Sequence, residues 1–426
     1  MSCDPSGLRE KDAQAVAARL ARQEGRRLTA ALLRVVGGGR LAFAEDCVQE
    51  ALAAALESWP RSGMPADPFA WVLAVARNKA VGRLRRAAMA AALEPKLAGW
   101  VESLSRPAAL AVAGDEELTL LVMCCHPDLE PEARLALTLK SVCGFSVPDI
   151  ARAFLAKPET VAQRLVRAKA RVRALNLDFA LPSGPALNRR MPSVLKAVYL
   201  LFDRGYRPAT GGRVLAAEIC GEALRLARAI AQDPRVTSGE AWALRALLAF
   251  QHSRAAARIG PDGGLVLLPD QDRARWDGAL IAEGFASLRD AMRGGAVTAL
   301  HWEAGAASVH AAARRWEDTD WSLLLSYYDG LMACAPSVVA GVNRAVAVAM
   351  RDGAEAGLAA LSPFDGRPEL ADFAPYQVAR AEMLARAGRA VEARQALTAA
   401  LSLELSEPER RLAERRLAML AGRIPD

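Results

Sequence analysis

Apolar residues along this chain recur every three to four positions almost throughout, the period of helices with one buried face. Residues 12–36 carry that pattern and stop at Gly37-Gly38-Gly39, a strong breaker. A second helix is expected over 41–59, ending at Pro60, and a polar Pro/Gly-rich loop follows to residue 67. Pro68 suits the first turn of a third helix, which runs to about residue 86. Residues 87–114 hold Pro95, Gly99, Pro107 and Gly114 without a sustained period and read as a linker.

From residue 115 the period returns. Helices are expected up to His126-Pro127, over 131–142, over 147–154 and over 158–175. The last two are joined by only three to four residues, the geometry of a helix-turn-helix. Beyond a break at 182–185, further helices are expected near 190–203, 213–231, 238–255 and 272–293, with one short strand at 265–268. Later, 343–361 and 379–397 resemble each other, and Gly353 and Gly388 fall close to the tetratricopeptide period apart. The fold class is therefore all-α. The expected domains are 10–87, a linker 88–114, a helix-turn-helix bundle 115–178, a helical extension 186–293 and tetratricopeptide-like repeats 296–422.

Composition agrees: Ala, Leu and Arg dominate and aromatics make up 5%. No long uncharged apolar run and no signal-peptide core are visible, so a cytoplasmic protein without membrane contact is expected. The 7 cysteines are scattered without a Cys-x-x-Cys pair, which favours reduced, mostly buried thiols over a metal site. The 4 histidines form no His-x-x-x-His, and neither a nucleophile elbow nor a phosphate loop is present. Neither an enzyme nor a cofactor is expected.

The net charge of +7 matters through its placement. Between Pro68 and Arg86 lie Arg77, Lys79, Arg83, Arg85 and Arg86 with no acid, beside Trp71 and Asn78. This set suits unpaired DNA, through stacking and phosphate attraction. A tryptophan buried between helices is an equal alternative for Trp71 alone. In 157–175, Val161, Leu165, Ala168, Val172 and Leu175 form a seam. Thr160, Arg164, Arg167 and Arg171 make a stripe beside it, Gln163 lies near its edge, and Lys169 and Arg173 flank the other side. A recognition helix needs that division. In 41–59, Val48, Leu52 and Leu56 suit the core, while Asp46, Gln49 and Glu50 share another face, either an ordinary solvated surface or a dock for a basic partner.

These strings resemble the sigma-70 superfamily, in its extracytoplasmic-function group. AEDCVQEALAAALESWP and PFAWVLAVARNKAVGRLRR are similar to sigma region 2, and EARLALTLKSVCGFSVPDIARAFLAKPETVAQRLVRAKARVRAL to region 4. LTLLVMCCHPDL, LLFDRGY and LLPDQDRARWD look like a subgroup with a long C-terminal extension. The resemblance implies that Asp46, Gln49 and Glu50 contact the β′ clamp helices of core RNA polymerase. It assigns Arg61 to Asp67 and the basic helix to the −10 element, and residues 157–175 to the −35 element beside the polymerase β flap. Gly82 departs from the family, which usually has a larger polar residue there. The extension is expected to regulate, either by covering the DNA-binding bundles or by recruiting a small protein partner. The rivals are a helix-turn-helix regulator that senses a ligand or protein through its helical domain, and a helical scaffold indifferent to DNA.

Overall fold

The computed structural model describes residues 16, 24–91, 116–206 and 213–421, apart from 155, 176, 178, 263, 294, 368, 369, 371, 372 and 404. Most of the expected linker and of the first helix's N-terminal half thus lies outside the described residues. The chain divides into two units, Met1–Leu200 and Leu201–Asp426.

In the first unit, α1 (Gly25–Val36), α2 (Leu41–Ser62) and α3 (Pro68–Ala91) form a three-helix bundle. Leu28, Leu32, Val48, Ala55, Val72, Ala76 and Ala80 are at most 1% exposed between them. Two expectations on α2 are corrected. The helix passes Pro60 and ends at Ser62, because the Gly63 N–H still bonds the Trp59 carbonyl (3.0 Å) and the Ser62 hydroxyl bonds the Ser58 carbonyl (2.9 Å). Proline fixes a helical φ and removes only its own N–H, which a last turn tolerates. Leu56 is 43% exposed, since the buried stripe instead follows Ala44, Cys47, Val48, Ala51, Leu52, Ala55 and Trp59.

The second bundle comprises α4 (Glu116–Cys124), α5 (Pro131–Leu137) with a wide turn at Thr138–Val142, α6 (Val147–Ala153) and α7 (Pro158–Ala174). Val161, Leu165, Ala168 and Val172 are buried, as the seam predicts, but Leu175 at its end is only half-buried, because it lies past the last helical residue, Ala174. Cys124 and Cys125 are buried thiols, and burial pushes Cys125 up to about 11. Among the described residues no cluster could hold a metal ion.

Although the sequence separates the two bundles, they belong to one unit and are tied together. Arg34 on α1 pairs with Glu116 on α4 at 2.9 Å, and Arg26 with Glu117 at 3.0 Å. Glu45 on α2 accepts from Ser141 (2.6 Å) and from Lys169 on α7.

The division between units falls inside α8 (Pro185–Tyr206). Its first half is built into the first unit. Ser193 donates to the Cys125 carbonyl (2.7 Å) and accepts from Arg134 (3.0 Å).

In the second unit helices stack on their sequence neighbours: α9 (Arg213–Gln232), α10 (Gly239–Ser253), α11 (Gly278–Ala291), α12 (Ala299–Ala312), α13 (Trp321–Cys334), α14 (Val338–Asp352), α15 (Ala354–Leu361), α16 (Ala374–Arg386), α17 (Ala390–Leu401) and α18 (Glu407–Ala421). Val342, Leu361, Tyr376 and Met383 share one core, and Leu384, Leu397 and Leu420 share the next. Gly353 and Gly388, with φ of 102° and 76°, turn the chain within the two similar segments, a conformation that favours glycine.

Two expectations in this unit are corrected. The strand at 265–268 is a single bridge between Ile259 and Leu265. The Leu265 N–H bonds the Pro408 carbonyl (3.1 Å) and the Val266 carbonyl accepts from Gln271 (3.0 Å), so no second ladder is left to form. Moreover, α11 starts at Gly278, because Asp277 caps it through Ala279 and Leu280. Asp272 caps only a short turn.

Candidate nucleic-acid interface

The recognition-type helix α7 turns outward a face that differs from the expected stripe. Thr160, Gln163, Arg167 and Arg171 are exposed, but Arg164 is half-buried and meets Glu132 of α5 at 2.7 Å. Arg171 lies 3.9 Å from Asp128. The stripe is therefore angled towards α5. The centre of the free face runs through Gln163, Val166 and Arg167, all exposed. Val166 is 68% exposed and has no place in the expected stripe, where an apolar residue beside the seam draws no notice. Its position at i+3 from Gln163 is the signal that could have found it. Lys169 turns away to Glu45 and is not on this face.

The face has the chemistry for duplex DNA: a fork of donors in Arg167, an amide in Gln163 and a branched apolar surface between them that can meet a thymine methyl. Arg164 and Arg171 lie beside the face, near Glu132 and Asp128. Side chains held in this way are less free to reach a base edge than to meet a phosphate.

On α3, Arg85, Arg86 and Asn78 are exposed, as are Arg61 and Ser62 at the end of α2. Arg77 contacts the Asn78 side chain at 3.4 Å. Asp67 accepts from the Ala70 N–H (2.9 Å) and so caps α3. Trp71 is half-buried, packed edge-to-face on Trp59 with ring centroids 5.6 Å apart. That contact supplies part of the buried alternative and leaves the other part of the ring to solvent.

Lys79 and Arg83 are not free cations. Lys79 lies 3.4 Å from Glu50, and Arg83 bonds Glu50 and stands 4.0 Å from Asp46. The structure thus joins the acidic face of α2 to the basic helix α3, two groups that the sequence treats as separate. Asp46 and Gln49 stay exposed at the edge of this network. Beneath it, burial pushes the Cys47 thiol up to about 11, so it is a neutral core residue.

No helix among the described residues is long and apolar enough to cross a membrane. Residues 20–89 match the family described as Sigma-70 region 2, and residues 119–172 the family described as Sigma-70, region 4. Residues 190–292 match a family of unknown function, DUF6596. An uncharacterized protein of Rhizobium meliloti (strain 1021) is 38% identical over 378 residues, covering 87% of this chain and 88% of the relative. No solved structure matches the chain.

Proposed function

This chain belongs to the sigma-70 superfamily with the extracytoplasmic-function architecture, regions 2 and 4 followed by a C-terminal extension, and we propose how its residues divide the work of promoter recognition. Sigma regions of this kind bind core RNA polymerase and promoter DNA for transcription initiation, and the family is non-enzymatic. In our reading Asp46, Gln49 and Glu50 dock the β′ clamp helices. Arg61, Ser62, Trp71, Arg77, Asn78, Lys79, Arg83, Arg85 and Arg86 serve the melted −10 element. Gln163 and Arg167 read the −35 duplex, with Thr160, Arg164 and Arg171 holding its phosphates near the β flap.

The observation that carries this reading is the exposed Gln163–Arg167 face of α7, set on a short helix-turn-helix beside a second cationic bundle. The two bundles are held together by Glu45, Lys169 and Ser141. Promoter use at two separated elements then requires that tie to yield when polymerase binds. Residues 92–115 lie between the bundles, and a segment of that length reaches at most ~80 Å when extended.

We read the extension as tetratricopeptide-like and as a regulatory platform for a small protein. A gel shift tests the core proposal. Promoter fragments should be retarded strongly only when core polymerase is present. Equal retardation by the chain alone would favour a helix-turn-helix regulator.

A further inference from the structure

The second unit contains a group of cations with no matching anions. Arg254 donates to Tyr206 and Gln251, and Arg258 to the Tyr206 carbonyl at 2.6 Å. Arg273 donates to the carbonyls of His310 and Ala313, the latter at 2.7 Å. Among the described residues none of the three forms an ion pair with a carboxylate. Of the acids whose charge reaches them, Asp318 pairs with Arg315 at 3.1 Å, Glu409 caps Ser406 at 3.0 Å, and Glu317 makes no ion pair with any of the three. Glu317 is exposed beside Asp318.

Aromatic rings wall the cluster. The Arg273 guanidinium lies 4.5 Å from the centroid of Trp276, that of Arg254 5.8 Å from the same ring, and that of Arg258 3.4 Å from Tyr206. His310 stacks parallel to Trp316 at 6.0 Å and meets Trp321 edge-on at 5.9 Å. Three buried polar atoms here have no hydrogen-bond partner: Arg273 Nη2, Trp276 Nε1 and His310 Nδ1. Buried donors are nearly always satisfied, so three orphans in one cluster need an explanation. Burial and the charges of Arg254 and Arg273 push His310 down to about 3, so it is neutral and can present an N–H without adding charge.

We propose that this cluster is a binding site for the oxyanion group of a small molecule. Arg273 and Arg254 supply charge, and Trp276 Nε1 and His310 Nδ1 complete the donors. The oxygens of a carboxylate or phosphate can accept from such donors and neutralise the local excess. The surrounding rings favour a ligand whose body is flat or apolar. The site lies within the second unit, so it stands independently of the promoter-binding roles proposed above.

The test uses the full chain labelled with 5-fluorotryptophan, with the Trp276 resonance assigned by Trp276→Phe. Inorganic phosphate and acetate are titrated separately at constant ionic strength set with chloride, up to ~100 mM. A saturable shift of the Trp276 signal with either anion is expected, and the tighter of the two identifies the oxyanion class. Arg273→Gln should weaken the apparent affinity at least tenfold. Should that variant fail to fold, Trp276→Phe, which keeps an aromatic ring but removes the N–H, should lower severalfold the anion concentration dependence of the melting temperature. No saturable shift with either anion, or an undiminished response in these variants, overturns the proposal.

Discussion

Glu45 on α2 accepts hydrogen bonds from Lys169 and Ser141, which lie 124 and 96 positions further along the chain. One carboxylate thus fastens region 2 to the helix proposed to read DNA in region 4. It stands next to Asp46, the first residue of the proposed polymerase dock. The Glu45 and Lys169 side chains are largely sheltered, 15% and 22% exposed, so the contact outweighs an ordinary surface pair.

Breaking that tie should therefore be costly in the free protein. Glu45→Ala leaves Lys169 and Ser141 without their acceptor, and a loss of ~1–3 kcal/mol is expected. A denaturant series on Glu45→Ala, Lys169→Ala and the double variant should give a coupling of at least ~0.5 kcal/mol. If region 4 must part from region 2 on polymerase, the same variants should bind core enzyme no worse than wild type. Additive single effects would show that the tie is incidental.

On the recognition face, two arginines that look alike in sequence should behave differently. Arg167→Ala removes an exposed base-reading fork and should cost ~1–3 kcal/mol of binding, with relaxed preference at one −35 position. Arg164→Ala removes a side chain held by Glu132. It should weaken binding more evenly across sequences and reduce the salt dependence. Competition binding with point-substituted promoters, using the polymerase complex, separates the two patterns.

Two glycines predict opposite outcomes. A Cβ added at Gly82 on α3 would meet open space, so Gly82→Ala should stabilise the first unit by up to ~1 kcal/mol through helix propensity. At Gly284 on α11 a Cβ would lie 2.5 Å from the Phe250 ring, which is 2% exposed. Gly284→Ala should destabilise the second unit by ~1–3 kcal/mol. Thermal unfolding of both variants decides this.

Two groups in the second unit give its stability a pH dependence. Burial and two arginines hold His310 at about 3, below the ordinary ~6.5. The unfolded chain therefore binds the extra proton first, so this contribution is full above ~6.5 and is lost as pH falls towards about 3. Glu283 is held below its ordinary value by hydrogen bonds from Arg228 and Arg245. Its contribution is full above the usual ~4.3 and disappears only as pH falls through the lowered value. His310→Gln should flatten the melting temperature between about pH 6 and about pH 4, while Glu283→Gln should alter only the more acid limb.

Much of this architecture is legible in the sequence because helical period and breakers are local signals. The seam of α7 and the turns at Gly353 and Gly388 follow directly from residue spacing. Spacing does not tell which neighbour each polar face meets. Arg164, Lys169 and Arg83 read alike as free cations, yet each finds a carboxylate on another helix. Glu45, which holds Lys169, lies on a different bundle altogether. Leu56 and Val166 escape for a related reason. A helix wheel ranks faces but not the angle at which a partner helix covers them. Pro60 and Asp277 show that helix ends depend on which side chains and N–H groups collect the last free bonds.

The extent of α8 also changes how the extension should be removed. Truncation at residue 185 would take away Ser193, which bridges Arg134 and the Cys125 carbonyl. Truncation after Leu200 keeps those bonds, so the shorter of the two products should be less stable by ~1–2 kcal/mol. Comparing transcription from the product ending at Leu200 with that from the full chain gives the sign of the extension's effect.

Run-off transcription with purified core polymerase tests the central claim most directly. The chain should direct initiation from a discrete set of promoters, and Asp46→Arg with Arg167→Ala should abolish it. Association without any start site, or initiation unchanged by those substitutions, would contradict the account.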